Sequence, residues 1–103
     1  MSDIQYRVLK VLESNPNISQ RDMAKELGIS LGKTNYVLKA LINRGFVKLN
    51  NFKKSNNKIG YAYKLTPEGI TNKSKLAKLF LQNKVREFEI LKIEIEKLKK
   101  EFD

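Results

Sequence analysis

The chain has 103 residues, contains neither cysteine nor histidine, and carries a formal net charge of +10. A chain of this length holds one compact core and at most one long appended element. The missing cysteine and histidine exclude disulfides, thiolate nucleophiles, imidazole acid–base catalysis and the usual zinc-ligand sets. We therefore expect no metal and no redox cofactor.

The N-terminus and the hydropathy pattern bear on location. The sequence has no apolar run of about 18 residues, the length that a membrane-spanning helix needs. Its first ten residues lack the basic-then-apolar layout of a secretory signal. We expect a cytoplasmic protein that does not enter a membrane.

The positive charge is concentrated in the middle of the chain. Residues 1–29 carry four basic and four acidic side chains, residues 30–75 carry ten and one, and residues 76–103 carry seven and six. The middle block thus holds nine of the ten surplus charges. Because a merely soluble surface intersperses its signs, this asymmetry predicts a polyanionic partner.

A first helix is predicted over residues 4–14. Asp3 is a suitable N-cap, the apolar residues recur at helical spacing, and the segment 15–17, Asn-Pro-Asn, ends the helix.

Two further helices follow in close succession. Ser19 caps the second, over residues 20–27, and Gly28 closes it as the natural left-handed residue. Ser30 caps the third, over residues 31–44, so the connection is short and the two helices must cross steeply.

The third helix is predicted to have an apolar and a polar face. Thr34, Leu38 and Leu41 lie along the apolar face, with Leu31 and Ile42 beside them. The polar face is basic and carries no acid; its residues are Gly32, Lys33, Tyr36, Lys39 and Asn43.

A β-hairpin and a last helix complete the predicted elements. Residues 46–49 and 61–65 are β-prone, and the segment 50–58 between them forms a basic tip. The sequence Thr-Pro-Glu at 66–68 starts a helix that runs towards the C-terminus, with or without an interruption near residues 70–72.

Three helices followed by a hairpin give the order of a winged helix-turn-helix domain. The predicted fold is mainly α with a small β-hairpin: a winged domain over residues 1–66 and a coiled-coil-like C-terminal helix for dimerisation over residues 67–103. The third helix would read the major groove of double-stranded DNA, where base edges are distinguishable. The alternative is a core helix with a solvated lysine face.

Individual DNA contacts can be assigned from this layout. In the three-helix part the expected contacts are Gln20, Arg21, Ser30, Gly32, Lys33, Thr34, Asn35, Tyr36 and Lys39. In the wing they are Lys53, Lys54, Asn56 and Lys58, which suit phosphate or minor-groove contact. Ser30 could instead only cap its helix, Thr34 also lies on the apolar face, and Arg21 and the wing residues could be ordinary surface residues.

The C-terminal segment contains a heptad pattern, which we call the seam. Its residues, spaced by three, four, three and four, are Phe88, Leu91, Ile95, Leu98 and Phe102. Glutamates then fall at the g positions 87, 94 and 101, and lysines at the e positions 92 and 99. Parallel pairing of two chains would oppose unlike charges, and antiparallel pairing like charges. The pattern favours a homodimer in either orientation, and packing of the helix on its own domain is the alternative.

Several stretches also resemble a known family. SLGKTNY and YAYKLTPEGI, within residues 30–36 and 61–70, are the narrowest of them, and the likeness runs over about residues 3–101. They are similar to the MarR family of EPS-associated transcriptional regulators. The resemblance implies a bacterial regulator associated with exopolysaccharide gene clusters. It also implies a dimer built from helices that flank the winged domain, of which we expect the C-terminal one here.

These observations predict a homodimeric, sequence-specific DNA-binding transcriptional regulator that performs no chemistry. A winged-helix adaptor for RNA or protein is the alternative, because fold alone does not fix function. An enzyme is not expected, since the carboxylates are scattered and the glycines form no phosphate-binding loop.

Overall fold

A computed structural model describes residues 2–53 and 59–103 of the chain. Its elements, in chain order, are α1 (Ser2–Ser14), α2 (Gln20–Leu27), α3 (Leu31–Asn43), β1 (Val47–Lys53), β2 (Ile59–Leu65) and α4 (Pro67–Lys100). The two strands form an antiparallel sheet. The predicted class, mainly α with a small hairpin and a long C-terminal helix, is confirmed.

Local hydrogen bonds fix the boundaries of α2 and α3. The Ser19 hydroxyl accepts the amide of Asp22, and the Ser30 hydroxyl accepts the amide of Lys33, each at 3.0 Å. Between the helices Gly28 adopts φ 68°, a left-handed conformation that costs glycine little. The predicted bounds of α2 are confirmed, and α3 ends one residue early because Arg44 is its C-cap.

The core lies between the first three helices and the hairpin. Its fully buried side chains are Val8, Leu9, Leu12, Met23, Thr34, Val37, Leu38 and Leu41. Val37 joins the three residues predicted for the buried face of α3. Leu31, which is predicted to lie beside that face, lies in the first turn of α3 and is 42% exposed.

The hairpin is longer than predicted. Cα pairing runs from Val47 opposite Leu65 to Lys53 opposite Ile59, so both strands extend beyond the β-prone segments that the sequence indicates. Asparagine and lysine have low strand propensity. Phe52 and Ile59 favour strands, and backbone pairing carries the less favourable residues between them and the predicted segments.

Helix α4 is anchored at its first turn. The Thr66 hydroxyl accepts the amide of Gly69 at 3.0 Å and donates to the carbonyl of Gly45. A Cβ at Gly69 would overlap the carbonyl oxygen of Phe46, so only glycine allows this approach. The helix then continues through residues 70–72 without interruption.

The first turns of α4 pack on α1. The rings of Tyr6 and Phe80 lie 5.1 Å apart, and the Lys73 ammonium is 2.7 Å from a carboxylate oxygen of Glu13. From Leu81 to Asp103 every residue is exposed. The alternative that the C-terminal segment packs on its own domain is therefore wrong beyond Phe80.

Candidate nucleic-acid interface

Helix α3 presents a polar face to solvent. Gly32, Tyr36, Lys39 and Asn43, spaced by four, three and four, are all exposed and lie opposite the buried stripe. Tyr36 has 65% of its surface exposed. The helix contains no acidic residue, so α3 itself places no carboxylate against a phosphate backbone.

Thr34 does not belong to this face. Its surface is 0% exposed, and its hydroxyl donates to the carbonyl of Ser30 at 2.9 Å. The prediction that Thr34 contacts DNA is therefore wrong. A β-branched hydroxyl residue on the apolar stripe is accommodated by a bond to the preceding turn.

Asn35 lies at the edge of the exposed face and is half-buried. Its side-chain amide donates to Oε1 of Gln20 at 3.2 Å. The Gln20 amide in turn donates to the phenol oxygen of Tyr63 at 3.0 Å. We call these three residues the polar relay. Tyr63 is 7% exposed and was not among the predicted site residues.

The remaining predicted contacts of the three-helix part lie at helix starts. Ser30, Lys33 and Arg21 are exposed, and the Ser30 hydroxyl is engaged in capping. The N-terminus of a helix attracts anions through its free N–H groups and its dipole. Ser30 and Lys33 thus flank the start of α3, and Arg21 lies in the first turn of α2.

Only part of the predicted wing site can be placed. The backbone of Lys53 ends β1 and pairs with Ile59. Lys54, Asn56 and Lys58 lie outside the described residues, so their DNA contacts stay predictions. The hairpin also carries Lys48 directly opposite Lys64, both exposed. Sequence reasoning missed this like-charge pair, although strand alternation places Lys48 and the buried Val47 on opposite faces.

The seam residues form a second exposed surface. Their exposed fractions are 60% for Phe88, 53% for Leu91, 43% for Ile95, 56% for Leu98 and 87% for Phe102. Phe102 lies beyond the last helical residue, Lys100, in a turn where its amide donates to the carbonyl of Lys99. Four of the five seam residues are therefore helical, one fewer than the heptad pattern predicts.

Known proteins share this architecture. A family model described as winged helix-turn-helix DNA-binding matches residues 1–48. A search of the curated proteins finds no match.

Solved structures give broader coverage. A MarR/EmrR family regulator from Acinetobacter sp. ADP1 aligns with a TM-score of 0.67 and 21% identity over 97% of this chain and 75% of its own. A mutant MarR from E. coli complexed with operator DNA aligns with a TM-score of 0.62 and 26% identity over 82% of this chain and 59% of its own. A MarR regulator from Methanosarcina mazei Go1 aligns with a TM-score of 0.66 and 21% identity over 82% of this chain and 60% of its own.

The chain has the fold of MarR-family winged-helix transcriptional regulators. It spans 59% of the E. coli MarR chain and 60% of the Methanosarcina chain. Among residues 2–53 and 59–103, no helix combines the length and apolarity that crossing a bilayer requires.

Proposed function

We propose that the protein is a sequence-specific double-stranded DNA-binding transcriptional regulator of the MarR type, located in the cytoplasm and acting without catalysis. The observation that carries this proposal is the exposed, acid-free face of α3, directly after the tight turn at Gly28. The likeness to an E. coli MarR complexed with operator DNA supports it.

The proposal assigns different tasks to helix and wing. Exposed residues of α3, together with the half-buried Asn35 at the edge of their face, meet base edges in the major groove, which differ for each base pair. Lysines of the hairpin meet phosphates, which add affinity without sequence information. Arg21, at the start of α2, adds a phosphate contact next to the recognition helix.

The proposed active form is a homodimer joined along the seam. These side chains are at least 43% exposed in the single chain, and an apolar stripe of this length on a soluble helix usually marks an interface. A two-fold dimer presents two α3 helices. It should therefore prefer half-sites about 10 base pairs apart, or a multiple of that spacing.

The resemblance to EPS-associated regulators suggests the target genes. We propose exopolysaccharide biosynthesis genes, a proposal that rests on SLGKTNY and YAYKLTPEGI. Selecting bound duplexes from a random library and locating the selected sequence upstream of such genes would test it.

A titration of variants tests the assignment of tasks. Tyr36→Ala should reduce the preference for a selected duplex over a scrambled one, by about 1–3 kcal/mol for a good base contact. Lys53→Ala with Lys54→Ala should weaken both duplexes equally. It should also reduce the slope of log affinity against log salt by about 0.9 for each phosphate that is no longer neutralised.

Lys97→Ala with Lys100→Ala, near the end of α4, removes the same charge outside the proposed interface and serves as the matched control. It should change neither the preference nor the slope by a comparable amount. Loss of preference in the wing variant alone would contradict the assignment of α3 as the reader. Stronger binding to RNA than to any duplex would favour the adaptor alternative.

A further inference from the structure

The polar relay joins three separate elements. Tyr63 belongs to β2, Gln20 is the first residue of α2, and Asn35 lies one turn into α3. Gln20 and Tyr63 are 43 residues apart, and Gln20 and Asn35 are 15 apart. The relay therefore ties the strand of the wing to the proposed recognition helix through polar side chains.

Its inner end is held firmly. Tyr63 belongs to the hydrophobic core cluster and is 7% exposed. Its backbone amide donates to the carbonyl of Pro16 at 3.0 Å, which fixes β2 against the segment that precedes α2. The core thus holds the phenol oxygen in place, where it accepts the Gln20 amide.

Asn35, at the other end of the relay, is the residue proposed to read a base. An asparagine that reads a base must present its carbonyl oxygen and its amide nitrogen in one defined order, and a free side chain can rotate by half a turn. In the relay Oε1 of Gln20 accepts from Nδ2 of Asn35. In this arrangement Nδ2 of Asn35 faces Gln20, and a side chain that is held before binding loses less entropy on binding.

We propose that Gln20 and Tyr63 are positioning residues that fix the orientation of the Asn35 amide and thereby contribute to sequence discrimination. The inference rests on the proposed function. It gives Gln20, which the sequence predicts as a DNA contact, a positioning role instead. It also gives a specificity role to Tyr63, a core residue away from the exposed face of α3.

The substitution Tyr63→Phe isolates the phenol oxygen, because the ring that packs in the core is retained. We expect the ratio of affinities for a selected and a scrambled duplex to fall about threefold to tenfold, the effect of removing one hydrogen bond. Affinity for the scrambled duplex should stay unchanged. Tyr6→Phe, the same substitution in the contact between α1 and Phe80, is the matched control and should leave the ratio unchanged.

A double-mutant cycle distinguishes positioning from simple stabilisation. If Tyr63 acts through Asn35, then Tyr63→Phe should have no further effect on the ratio in an Asn35→Ala background. Thermal unfolding of each variant, recorded in parallel, reports any loss of stability separately from discrimination.

The outcomes separate this inference from the function on which it rests. A Tyr63→Phe protein that keeps the ratio, or loses it equally with and without Asn35, overturns the positioning role and leaves the DNA-binding proposal intact. A parent protein that does not distinguish any selected duplex from a scrambled one overturns both.

Discussion

The part of the chain up to Phe80 and the part beyond it differ in what surrounds their apolar side chains. In the described part of the first 80 residues, side chains from α1, α2, α3, the hairpin and the start of α4 bury one another, and Leu9, Leu12, Leu38 and Leu41 are at most 1% exposed. In residues 81–103 every side chain is exposed, although leucine, isoleucine and phenylalanine recur there. The first region has its own core. The second region has apolar residues, but no other helix or strand that the structure describes covers them.

The second region is helical because it continues a helix that is already anchored. Starting a helix is costly, and adding a residue to an existing one is not. Thr66 caps α4 and the first turns pack on α1, so the start is provided by the winged domain. The seam is helical up to Leu98 in the single chain, so we expect a second chain to meet a preformed surface.

Substituting charged residues into the seam should have the largest effect, which is on dimerisation. Leu91→Asp with Leu98→Asp should convert a dimer to monomers in sedimentation velocity, because burying an unpaired carboxylate costs several kcal/mol. Ile90→Asp with Ile93→Asp, on the same helix outside the seam, is the matched control and should stay dimeric. A dimer that survives the first pair of substitutions would show that the interface lies elsewhere.

A core substitution should come next in size. Leu41 is 0% exposed, and Leu41→Ala should lower the free energy of unfolding by about 2–5 kcal/mol, because the substitution removes buried apolar atoms and leaves a cavity. Leu81→Ala removes the same atoms from a side chain that is 62% exposed and should change stability by about 0.5 kcal/mol or less. Denaturant titration measures both. Equal losses of stability in Leu41→Ala and Leu81→Ala would contradict the conclusion that only the first region has a core.

A substitution at the contact between Gly69 of α4 and Phe46 should change the free energy of unfolding by less. Gly69→Ala should destabilise by about 1–3 kcal/mol, because the new Cβ meets the carbonyl of Phe46 and outweighs the better helix propensity. At Gly32 a Cβ meets nothing within 4 Å, so Gly32→Ala should stabilise the protein by about 0.5–1 kcal/mol. If Gly69→Ala and Gly32→Ala shifted the Tm in the same direction, the close approach of Gly69 to the Phe46 carbonyl would be refuted.

The smallest effect is expected at the ion pair between α1 and α4. The Lys73 and Glu13 side chains are 23% and 50% exposed, so Glu13→Gln should cost about 0.2–1 kcal/mol, and less at high salt. Glu89→Gln removes an exposed carboxylate from the second region and should cost less. Unfolding curves at low and high salt check both; a cost for Glu13→Gln that does not depend on salt would argue against the pair.

Local chemistry made much of the fold predictable. Ser19, Ser30 and Thr66 each place a hydroxyl three residues before an amide that needs an acceptor, and all three cap the helices predicted for them. Thr34 shows the limit of the same reasoning. Its hydroxyl indicated DNA contact and its place on the apolar stripe indicated burial, and only the packing of α3 decides between them.

The features that sequence reasoning missed depend on residues far apart in the chain. The strands extend through Asn50 and Asn51, which have low strand propensity, and these residues pair with Ala62 and Tyr61 of the other strand. The sequence assigns Tyr63 only to a β-prone segment, since nothing local shows that its phenol meets Gln20. The sequence left the continuity of α4 through residues 70–72 open, and the close approach of Gly69 to Phe46 in its first turn joins residues 23 positions apart.

The unbroken course of α4 has a geometric consequence. Each helical residue advances about 1.5 Å and turns about 100°, so the direction in which the seam faces is fixed relative to the winged domain by residue number alone. One residue inserted at Gln82 would rotate the seam by about 100° about the helix axis. Seven inserted residues would return it to within about 20° of its original direction and move it outward by about 10.5 Å. Arm length and rotational phase can therefore be varied separately in this chain by the number of residues between Phe80 and Phe88.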